Sequence, residues 1–352
     1  MIRIVSRTEP TRFGENLLRG GAVFAALAAS SLVMLFLGYN PLEVYGRMIS
    51  GSLGTAYRFR ETINKTIPLV VLSLGIAVAF RMKFWNIGAE GQFYLGAFGA
   101  TLAAVSFPSL PAVILLPLMF IFAFFFGGMW ALLPAVLRAR FAASETLTTL
   151  MLNYVAVKWI SYLQYGPWKD PSAQGFPKIA NFPQNAILPK VLGIHAGWII
   201  ALVLVVLLYI LLSKSTLGYE IDVLGESEAT ARYAGMNVFR ITIAAVMLSG
   251  GLAGVAGMMQ ASAIEHTLSD QLSGGLGFTA VITTWLARLS PPLIVAVSFL
   301  FALLLQGASF LQSSMKIPAS VADILQGIII FFVLGSEFSV RYRFAFDREG
   351  KK

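Results

Sequence analysis

The stretch P-A-V-I-L-L-P-L-M-F-I-F-A-F-F-F-G-G-M-W-A-L-L-P-A-V-L at residues 111–137 contains no charged side chain. A helix needs about 20 apolar residues to cross a bilayer core that is about 30 Å thick. This stretch exceeds that length, and two cations, Arg138 and Arg140, follow it directly. It therefore predicts a transmembrane helix that ends at a cationic edge of the membrane.

Apolar runs of this kind recur along the whole chain and predict an all-α, polytopic membrane protein. About ten transmembrane helices are expected, within a range of nine to eleven. Two of the runs are short, before Arg81 and before Arg288, and each fits a broken or tilted helix. The ten predicted spans are 18–38, 66–80, 91–108, 111–137, 146–165, 196–213, 241–261, 276–288, 291–310 and 321–335.

The composition supports a membrane location. Of the 352 residues, 57% are hydrophobic and only 12% are charged, whereas soluble domains carry about a quarter charged residues. The excess of apolar side chains must therefore face lipid. The chain has no cysteine, which excludes disulfides and cysteine-ligated metal or redox centres.

The basic residues predict the orientation. They outnumber the acidic residues by 26 to 17, a net charge of +9. With the N-terminus inside and ten spans, 17 of the 26 fall in inner segments, 8 in outer segments and one, Lys158, within a span. Because cytoplasmic segments of membrane proteins are enriched in Lys and Arg, both termini are predicted to be cytoplasmic. The positive charge is thus explained without nucleic acid as a partner.

These features define three predicted regions. A cytoplasmic N-terminal segment covers residues 1–17, a transmembrane permease domain covers 18–335, and a basic cytoplasmic tail covers 336–352. The first span is too long for a cleavable signal, and no small-residue cleavage pattern follows it. The protein is thus predicted to be a multi-pass protein of the plasma (inner) membrane.

Three hydrophilic stretches between spans are long enough to carry structure. Pro41–Lys65 and Gly166–His195 are predicted outside, and Ser213–Arg240 inside. The second of these contains five prolines, which favour a loop held against the outer face.

The sequence contains no recognisable catalytic apparatus. It has neither the G-x-x-x-x-G-K-[ST] phosphate loop nor the H-E-x-x-H or G-x-S-x-G motif, so no ATP site, metal, cofactor or catalytic residue is predicted. Few acidic residues lie within the spans, which disfavours a proton relay. The chain is therefore interpreted as a non-catalytic transport subunit that draws its energy from a partner. The alternatives are an ion- or proton-driven carrier and, less favoured, an intramembrane enzyme.

The inner loop, residues 213–240, is the predicted docking place for that partner. Its sequence reads as two short elements separated at Gly225, with acidic residues near a helix start, Arg232 near its end and Gly235 as a stop. A short helix of small residues can lie in a groove on another protein, although a plain surface helix fits the pattern equally well. The predicted coupling residues are Gly225, Glu226, Glu228, Ala229, Ala231, Arg232 and Gly235.

A glycine-interrupted turn, residues 84–92, is the first candidate for the translocation path. It places Asn86, Glu90 and Gln92 between two apolar spans. Irregular backbone at membrane depth is tolerated only inside protein or beside a wet cavity, and a carboxylate there must avoid lipid. The turn is therefore predicted at the path or its inner gate, the alternative being an ordinary inner loop with Glu90 as a helix cap. A second interrupted segment, Gly274–Gly277, hints at two halves of opposite topology.

The span 146–165 supplies the remaining candidates. Its polar residues share a broad helical face, on which Asn153 is the path candidate. Such a face either joins helices or hydrogen-bonds a solute. Neighbouring aromatic residues can stack on a sugar or nucleobase, or can form the outer aromatic belt. The polar residues are Thr146, Thr149, Asn153 and Gln164, and the aromatic residues are Trp159, Tyr162, Tyr165 and Trp168.

Several of these runs resemble signatures of permeases in the branched-chain amino acid, ribose and nucleoside branch of the ABC importers. The resemblance covers about residues 60–335, and the motifs occur in the expected order. The run E-T-L-T-T-L-M-L-N-Y together with G-P-W-K-D-P is most similar to the nucleoside branch, whose members pair with basic-membrane-protein-type binding lipoproteins. The motifs are W-N-I-G-A-E-G-Q at 85–92, E-T-L-T-T-L-M-L-N-Y at 145–154, G-P-W-K-D-P at 166–171, G-E-S-E-A-T-A-R-Y-A-G at 225–235, G-G-L-G-F-T-A-V at 274–281 and I-P-A-S-V-A-D-I-L-Q-G at 317–327.

The resemblance implies partners that composition does not reveal. They are a second homologous permease subunit, a cytoplasmic ABC ATPase with two nucleotide-binding halves, and an extracytoplasmic substrate-binding lipoprotein. It also implies that residues 225–235 form the coupling helix that receives the motion of the ATPase. Nucleosides are the expected solute, with simple sugars, riboflavin and branched-chain amino acids as alternatives. The chain departs from the family pattern at Trp85, where Phe is usual, and over residues 281–290.

Overall fold

The computed structural model describes residues 2–6, 12–318, 320–321, 324–325, 327–329, 331–332, 335 and 342–346. These residues form two parts, of which one comprises residues 60–302 and the other residues 1–59 together with 303–352. The division falls within two long helices. Predictions for residues 1 and 7–11, for the gaps in the span 321–335 and for residues 336–341 and 347–352 lie outside the described residues.

Helices dominate the described chain, as the apolar runs predicted. Short strands occur in the outer loop and near both ends of the chain. The elements are β1 Ile2–Ser6, α1 Arg12–Phe36, α2 Pro41–Leu53, α3 Ala56–Arg81, α4 Ala89–Ser106, α5 Ala112–Phe141, α6 Glu145–Tyr165, β2 Lys190–Val191, β3 Ile194–His195, α7 Gly197–Lys214, α8 Thr216–Glu226, α9 Glu228–Tyr233, α10 Val238–Met259, α11 Leu276–Leu286, α12 Pro291–Met315 and β4 Tyr342–Phe346. A 3₁₀ turn covers Gln184–Ala186, and a π-helical turn, Gln260–Glu265, continues α10.

The larger part is built around α3, α4 and α10. For each long helix, the buried share of its most apolar 18-residue window can be compared. This share is 83% for α3 and 72% for α10 with its π-helical extension, but only 28% for α5 and for α7. The apolar residues of α5 and α7 therefore remain outside the protein core, as expected for helices that face lipid.

Glycines allow the central helices to pack closely. A Cβ atom at Gly96 of α4 would overlap the backbone of Gly254 in α10, and one at Gly257 would overlap the carbonyl of Phe93. Small residues bring membrane helices together because backbone packing replaces the missing hydrophobic driving force. The glycines of α10 thus fix its position against α4.

Helices occupy the first nine predicted spans, with some changed boundaries. The span predicted at 66–80 is a helix that already begins at Ala56, so Lys65 lies within α3. The hydrophilic stretch Pro41–Lys65, predicted to be long enough to carry structure, is occupied mostly by α2 and the start of α3, and its outer location stays a prediction. The short span before Arg288 is indeed short, since the 11 residues of α11 extend only about 16 Å.

Five of the described helices are long and apolar enough to cross a membrane, and a sixth crossing results if the bent pair Phe24–Phe36 and Pro41–Leu53 counts as one span. The chain is therefore an all-α membrane protein by this measure. The total of ten spans and the cytoplasmic termini stay predictions.

The outer loop, residues 166–195, is held against the helix ends, as its prolines predicted. Phe182 donates its backbone N–H to the carbonyl of His266 (2.8 Å), and the Asn185 side chain donates to the carbonyls of Pro108 and Leu110 (2.8 and 2.6 Å). Within the loop, β2 pairs antiparallel with β3.

The smaller part has its own apolar cluster, which includes Met34, Val44, Met48 and Leu311. Here α1 and α2 meet at a sharp bend, and Arg58 lies over the ring of Phe310, 4.1 Å from its centroid. Strands β1 and β4 pair antiparallel. The described segments Ile2–Ser6 and Tyr342–Phe346 therefore lie side by side.

Candidate translocation and coupling sites

The glycine-interrupted turn between α3 and α4 is organised by two buried amides. Asn86 and Gln92 exchange hydrogen bonds, with Asn86 Nδ2 donating to Gln92 Oε1 (3.0 Å) and Gln92 Nε2 donating to Asn86 Oδ1 (2.9 Å). Asn86 also accepts from the N–H of Gly88 and donates to Ser249 of α10. Both amides are buried and engaged within the chain, so they hold the irregular backbone in place.

Helix α6 braces the same turn from the side. Asn153 Oδ1 accepts the N–H of Gly91 (2.8 Å), and its Nδ2 donates to the carbonyl of Ile87 (2.9 Å). Thr149 accepts the N–H of Ile87 (3.3 Å). These bonds satisfy backbone groups that the break in the helix would otherwise leave unpaired in a buried place.

Glu90 connects the two interrupted segments. Its Oε1 accepts from the Ser273 hydroxyl, and its Oε2 accepts the N–H of Gly277 at 2.7 Å. Gly277 lies in the first turn of α11, where unpaired N–H groups and the helix dipole favour a negative charge. The carboxylate thus caps the N-terminus of the short helix α11 and is only 6% exposed.

Two tryptophans meet at the inner end of this turn. Trp85 stacks on Trp285 of α11 with ring centroids 5.4 Å apart and planes 20° apart, and Phe80 contacts both rings. Trp85 stands where Phe is usual in the family signature, and Trp285 lies within residues 281–290, the second stretch that departs from the family pattern. The structure therefore pairs the two departures in one aromatic contact.

The four predicted path residues lie close together in a buried network. Asn86, Glu90, Gln92 and Asn153 are between 0% and 6% exposed, and each bonds within the chain. The geometry gives them a bracing role, so their contact with a solute stays a prediction. Sequence reasoning missed their partners Ser249 and Ser273, for which spacing gives no signal because they lie far along the chain.

The inner segment forms two short helices, but their boundary differs from the prediction. The break lies at Ser227, whose side chain accepts the N–H of Thr230 (3.2 Å) as the cap of α9. Gly225 lies inside α8, buried against the carbonyl of Arg81. The prediction of a break at Gly225 is wrong because Ser227 supplies the capping oxygen that a helix start requires.

Helix α9 is exposed to the solvent at every residue except Ala231. Glu228, Ala229 and Arg232 are exposed, whereas Ala231 is fully buried. Glu228 accepts from the Nε and Nη2 atoms of Arg232 at 3.1 and 2.7 Å. This exposed face is small in its centre and charged at both ends.

Gly235 ends α9 as predicted. Its φ is +77°, a left-handed conformation that costs glycine little. The N–H of Gly235 bonds to the carbonyl of Arg232, and the N–H of Met236 bonds to that of Ala231, both at 3.0 Å. These bonds satisfy the last carbonyls of the helix.

Helix α8 ties this element to the membrane part. Arg81, the last residue of α3, donates to Asp222 at 3.3 Å and to the carbonyl of Leu212 at 3.2 Å. Burial raises the pKa of Asp222, as does the charge of Glu226, while Arg81 acts in the opposite direction. Since Arg81 directly precedes the glycine-interrupted turn, α8 and the turn share one anchor.

A cavity of about 440 Å³ separates the two inner helices from the ends of α3 and α5. Lys83, Arg138 and Arg232 line it together with Glu226 and Glu228. Arg138 also pairs with Glu145 at the start of α6 (2.9 Å). The ends of α3 and α5 and the start of α6 therefore converge beneath α8 and α9.

Comparison with known proteins places these features in a family. The family described as the permease component of the branched-chain amino acid transport system matches residues 59–334, and the chain belongs to it. It is therefore a permease subunit of an ABC transporter and a multi-pass protein of the plasma membrane. Members of this family are transport components that work with a partner ATPase and a substrate-binding protein.

Individual relatives cover nearly the whole chain. The glucose ABC transporter permease TsgB13 of Haloferax volcanii is 34% identical, over 93% of this chain and 90% of its own length. The guanosine ABC transporter permease NupP of Bacillus subtilis is 31% identical, over 91% and 93%. The nucleoside ABC transporter permease NupB of Lactococcus lactis is 29% identical, over 89% and 88%.

Proposed function

We propose that this permease carries nucleosides into the cell. The observation that supports it is similarity over nearly the full length to two permeases named for guanosine and nucleosides. The runs L-N-Y at 152–154 and G-P-W-K-D-P at 166–171 favour the same branch. Glucose is the second candidate, because the glucose permease TsgB13 reaches 34% identity.

The proposed assembly contains this chain, a second homologous permease, an ATPase with two nucleotide-binding halves and an extracytoplasmic binding lipoprotein. The chain would cross the membrane ten times with both termini inside. It performs no covalent chemistry in this scheme, since ATP hydrolysis takes place on the partner.

The coupling route begins at α9. Its exposed face, which carries Glu228, Ala229 and Arg232, is the docking surface for the ATPase. Motion of α9 passes through Ser227 and α8 to Arg81 and hence to the glycine-interrupted turn. From there, Glu90 transmits it to the N-terminus of α11. Gly225 supports the route because its missing side chain allows α8 to lie against the Arg81 carbonyl.

Uptake by the reconstituted complex tests the proposal. The four components are placed in liposomes, and entry of labelled guanosine, glucose and riboflavin is measured with ATP inside or outside. We expect guanosine uptake that requires ATP on the side of α9 and persists with an ionophore. If an ionophore abolishes uptake and no ATPase is needed, the result would support a secondary carrier. Selective uptake of glucose would overturn the nucleoside assignment.

Calorimetry on the isolated binding protein provides an independent check, because the binding protein supplies most of the selectivity in this type of importer. Guanosine binding and no glucose binding are expected. The opposite preference would reassign the solute without changing the class of transporter.

A further inference from the structure

Helix α6 has two faces of different character. Its buried face contains Thr149, Asn153, Ile160 and Gln164 and packs on α4 and the outer loop. Its opposite face is uncovered in the described chain. Along the middle and outer half of that face lie Tyr154 (63% exposed), Lys158 (exposed), Tyr162 (60% exposed) and Tyr165 (64% exposed). Their spacing of three to four residues places them in one stripe.

This stripe differs from the lipid-facing surfaces of the neighbouring helices. The large exposed side chains along α5 and α7 are apolar apart from Tyr209, and the exposed charged residues Arg140 and Lys214 lie only at the ends of these helices. Helix α6 has 21 residues, enough to cross a bilayer, yet it is not among the helices that are sufficiently apolar to do so. Apolar side chains of α6 are also exposed beside the stripe, namely Leu147, Met151, Val155 and Trp159. The part of the face around Lys158 is nevertheless poorly suited to lipid, because a charged side chain within the bilayer is costly.

The position of Lys158 makes lipid exposure still less favourable. At 1.5 Å per residue, Lys158 lies about 20 Å from the inner end of α6 and about 10 Å from the outer end. Side chains on a helix lean toward its N-terminus, which is here the inner end, so the ammonium points away from the nearer surface. Tyr154 lies one turn deeper, close to the middle of the helix. Reaching the outer headgroups would require Lys158 to bend back against this direction.

We propose that the stripe Tyr154, Lys158 and Tyr162 lines the water-filled translocation path and contacts the solute. This inference rests on the proposed function as a permease. The phenol rings provide flat surfaces for a planar ring, and the ammonium supplies three hydrogen-bond donors for oxygen acceptors. The site suits a neutral, polar solute with a planar ring and hydroxyl or carbonyl oxygens, and its positive charge repels cationic solutes.

Single cysteines test this placement directly, because the natural chain has no cysteine. Tyr154→Cys, Lys158→Cys and Tyr162→Cys are compared with Phe125→Cys on α5 and Val206→Cys on α7, both on apolar exposed faces. The assembled transporter in membrane vesicles is treated with an anionic, membrane-impermeant methanethiosulfonate reagent, which the positive charge of Lys158 does not repel. Labelling of this subunit is then measured by mass spectrometry with and without guanosine.

We expect at least tenfold faster labelling of the three stripe positions than of the two controls, and slower labelling when guanosine and the binding protein are present. Labelling as slow as at the control positions would overturn the proposal, because the stripe would then face lipid or a subunit interface. Fast labelling that no solute slows would overturn the contact with solute. Protection by glucose instead of guanosine would support the stripe and contradict the nucleoside assignment, so the two proposals fail separately.

Uptake by Lys158 variants completes the test. Lys158→Met should lower uptake about tenfold or more and Lys158→Arg should retain most of it, while both variants assemble with the partner subunits. Equal uptake by the Met variant and the natural protein would contradict the role of the charge.

Discussion

Single buried side chains hold the glycine-interrupted turn in its irregular conformation. The polar groups that reach the turn all have a partner within hydrogen-bonding distance. These groups belong to Asn86, Gln92 and Asn153. Leaving a buried donor or acceptor unpaired costs about 1–3 kcal/mol, which exceeds the net gain from an average hydrogen bond. Stability is therefore expected to depend sharply on these residues.

Asn153→Ala should destabilise the protein, because it leaves the N–H of Gly91 and the carbonyl of Ile87 unpaired. At about 1–3 kcal/mol per group, the melting temperature should fall on the order of 5 °C. Thermal unfolding of the detergent-solubilised protein measures it. Thr148→Val is the matched control on the same helix, since its hydroxyl bonds only to the carbonyl of Ser144. Equal melting of both variants would contradict the bracing role.

His195 in the outer loop should make stability depend on pH. Burial lowers the pKa of His195 to about 4. The backbone of Asn64 acts to raise this pKa, and the charge of Lys190 acts to lower it further. The folded state therefore favours the neutral ring. The stabilisation is complete above pH 6.5, the ordinary value for histidine, and is lost as the pH falls from 6.5 toward 4, on the order of 3 kcal/mol in total.

The contribution of His195 to the pH dependence is isolated by comparing two proteins. The melting temperatures of the natural protein and of His195→Asn are measured from pH 7.5 to 4.5. The natural protein should lose more stability on acidification than the variant. His266→Asn retains His195 and should follow the natural protein. Parallel curves for the natural protein and His195→Asn would show that His195 does not contribute.

At the scale of helices, close backbone contact between α4 and α10 determines the packing of the larger part. Gly96→Ala should push these helices apart, because the new methyl group would overlap Gly254. We expect a fall of several degrees in the melting temperature, from overpacking that costs about 1–3 kcal/mol. Gly46→Ala in α2 is the control, since an added Cβ there meets no atom within 4 Å. Comparable losses at both glycines would argue against the close contact.

Helix α9 offers a test that separates coupling from folding. Ala229→Trp adds bulk on the exposed face and should reduce ATP-driven uptake at least tenfold with little change in melting temperature. Ala231→Trp and Gly235→Pro should also lower the melting temperature, since Ala231 is fully buried and proline cannot adopt the φ of +77° at residue 235.

Ala180→Trp, which adds the same bulk at an exposed position of the outer loop, is the control for Ala229→Trp. Uptake and ATPase stimulation are measured in proteoliposomes. Normal transport by Ala229→Trp would remove α9 from the coupling route.

At the scale of the whole molecule, the absence of cysteine makes the orientation in the membrane simple to measure. Tyr233→Cys, at a position 95% exposed in α9, should react with an impermeant thiol reagent only from the cytoplasmic side. Phe176→Cys, 77% exposed in the outer loop, should react only from the outside. Labelling of intact cells and of inverted vesicles distinguishes the two sides. Labelling of both positions from one side would require an even number of spans or none between residues 176 and 233, and would contradict the predicted orientation.

Local signals in the sequence were sufficient for some features of the fold and the site. Long apolar runs gave the positions of nine helices, and Gly235 was identified as a helix stop. Other boundaries could not be predicted, because the start of α3, residues 56–65, is rich in charged and polar side chains and so resembles a loop between spans. The break at Ser227 was missed because both a glycine and a serine could interrupt the segment, and the buried position of Gly225 depends on Arg81, which is distant in sequence.

Hydropathy and short motifs are local properties, so the amino-acid sequence was enough to predict the membrane location, the helical architecture and the permease class. The buried face of α6 and the capping of α11 by Glu90, 187 residues earlier in the chain, became visible only in the folded protein. The same holds for the stacking of Trp85 on Trp285. These are contacts between distant segments, and they depend on how the helices pack, which neither periodicity nor composition specifies.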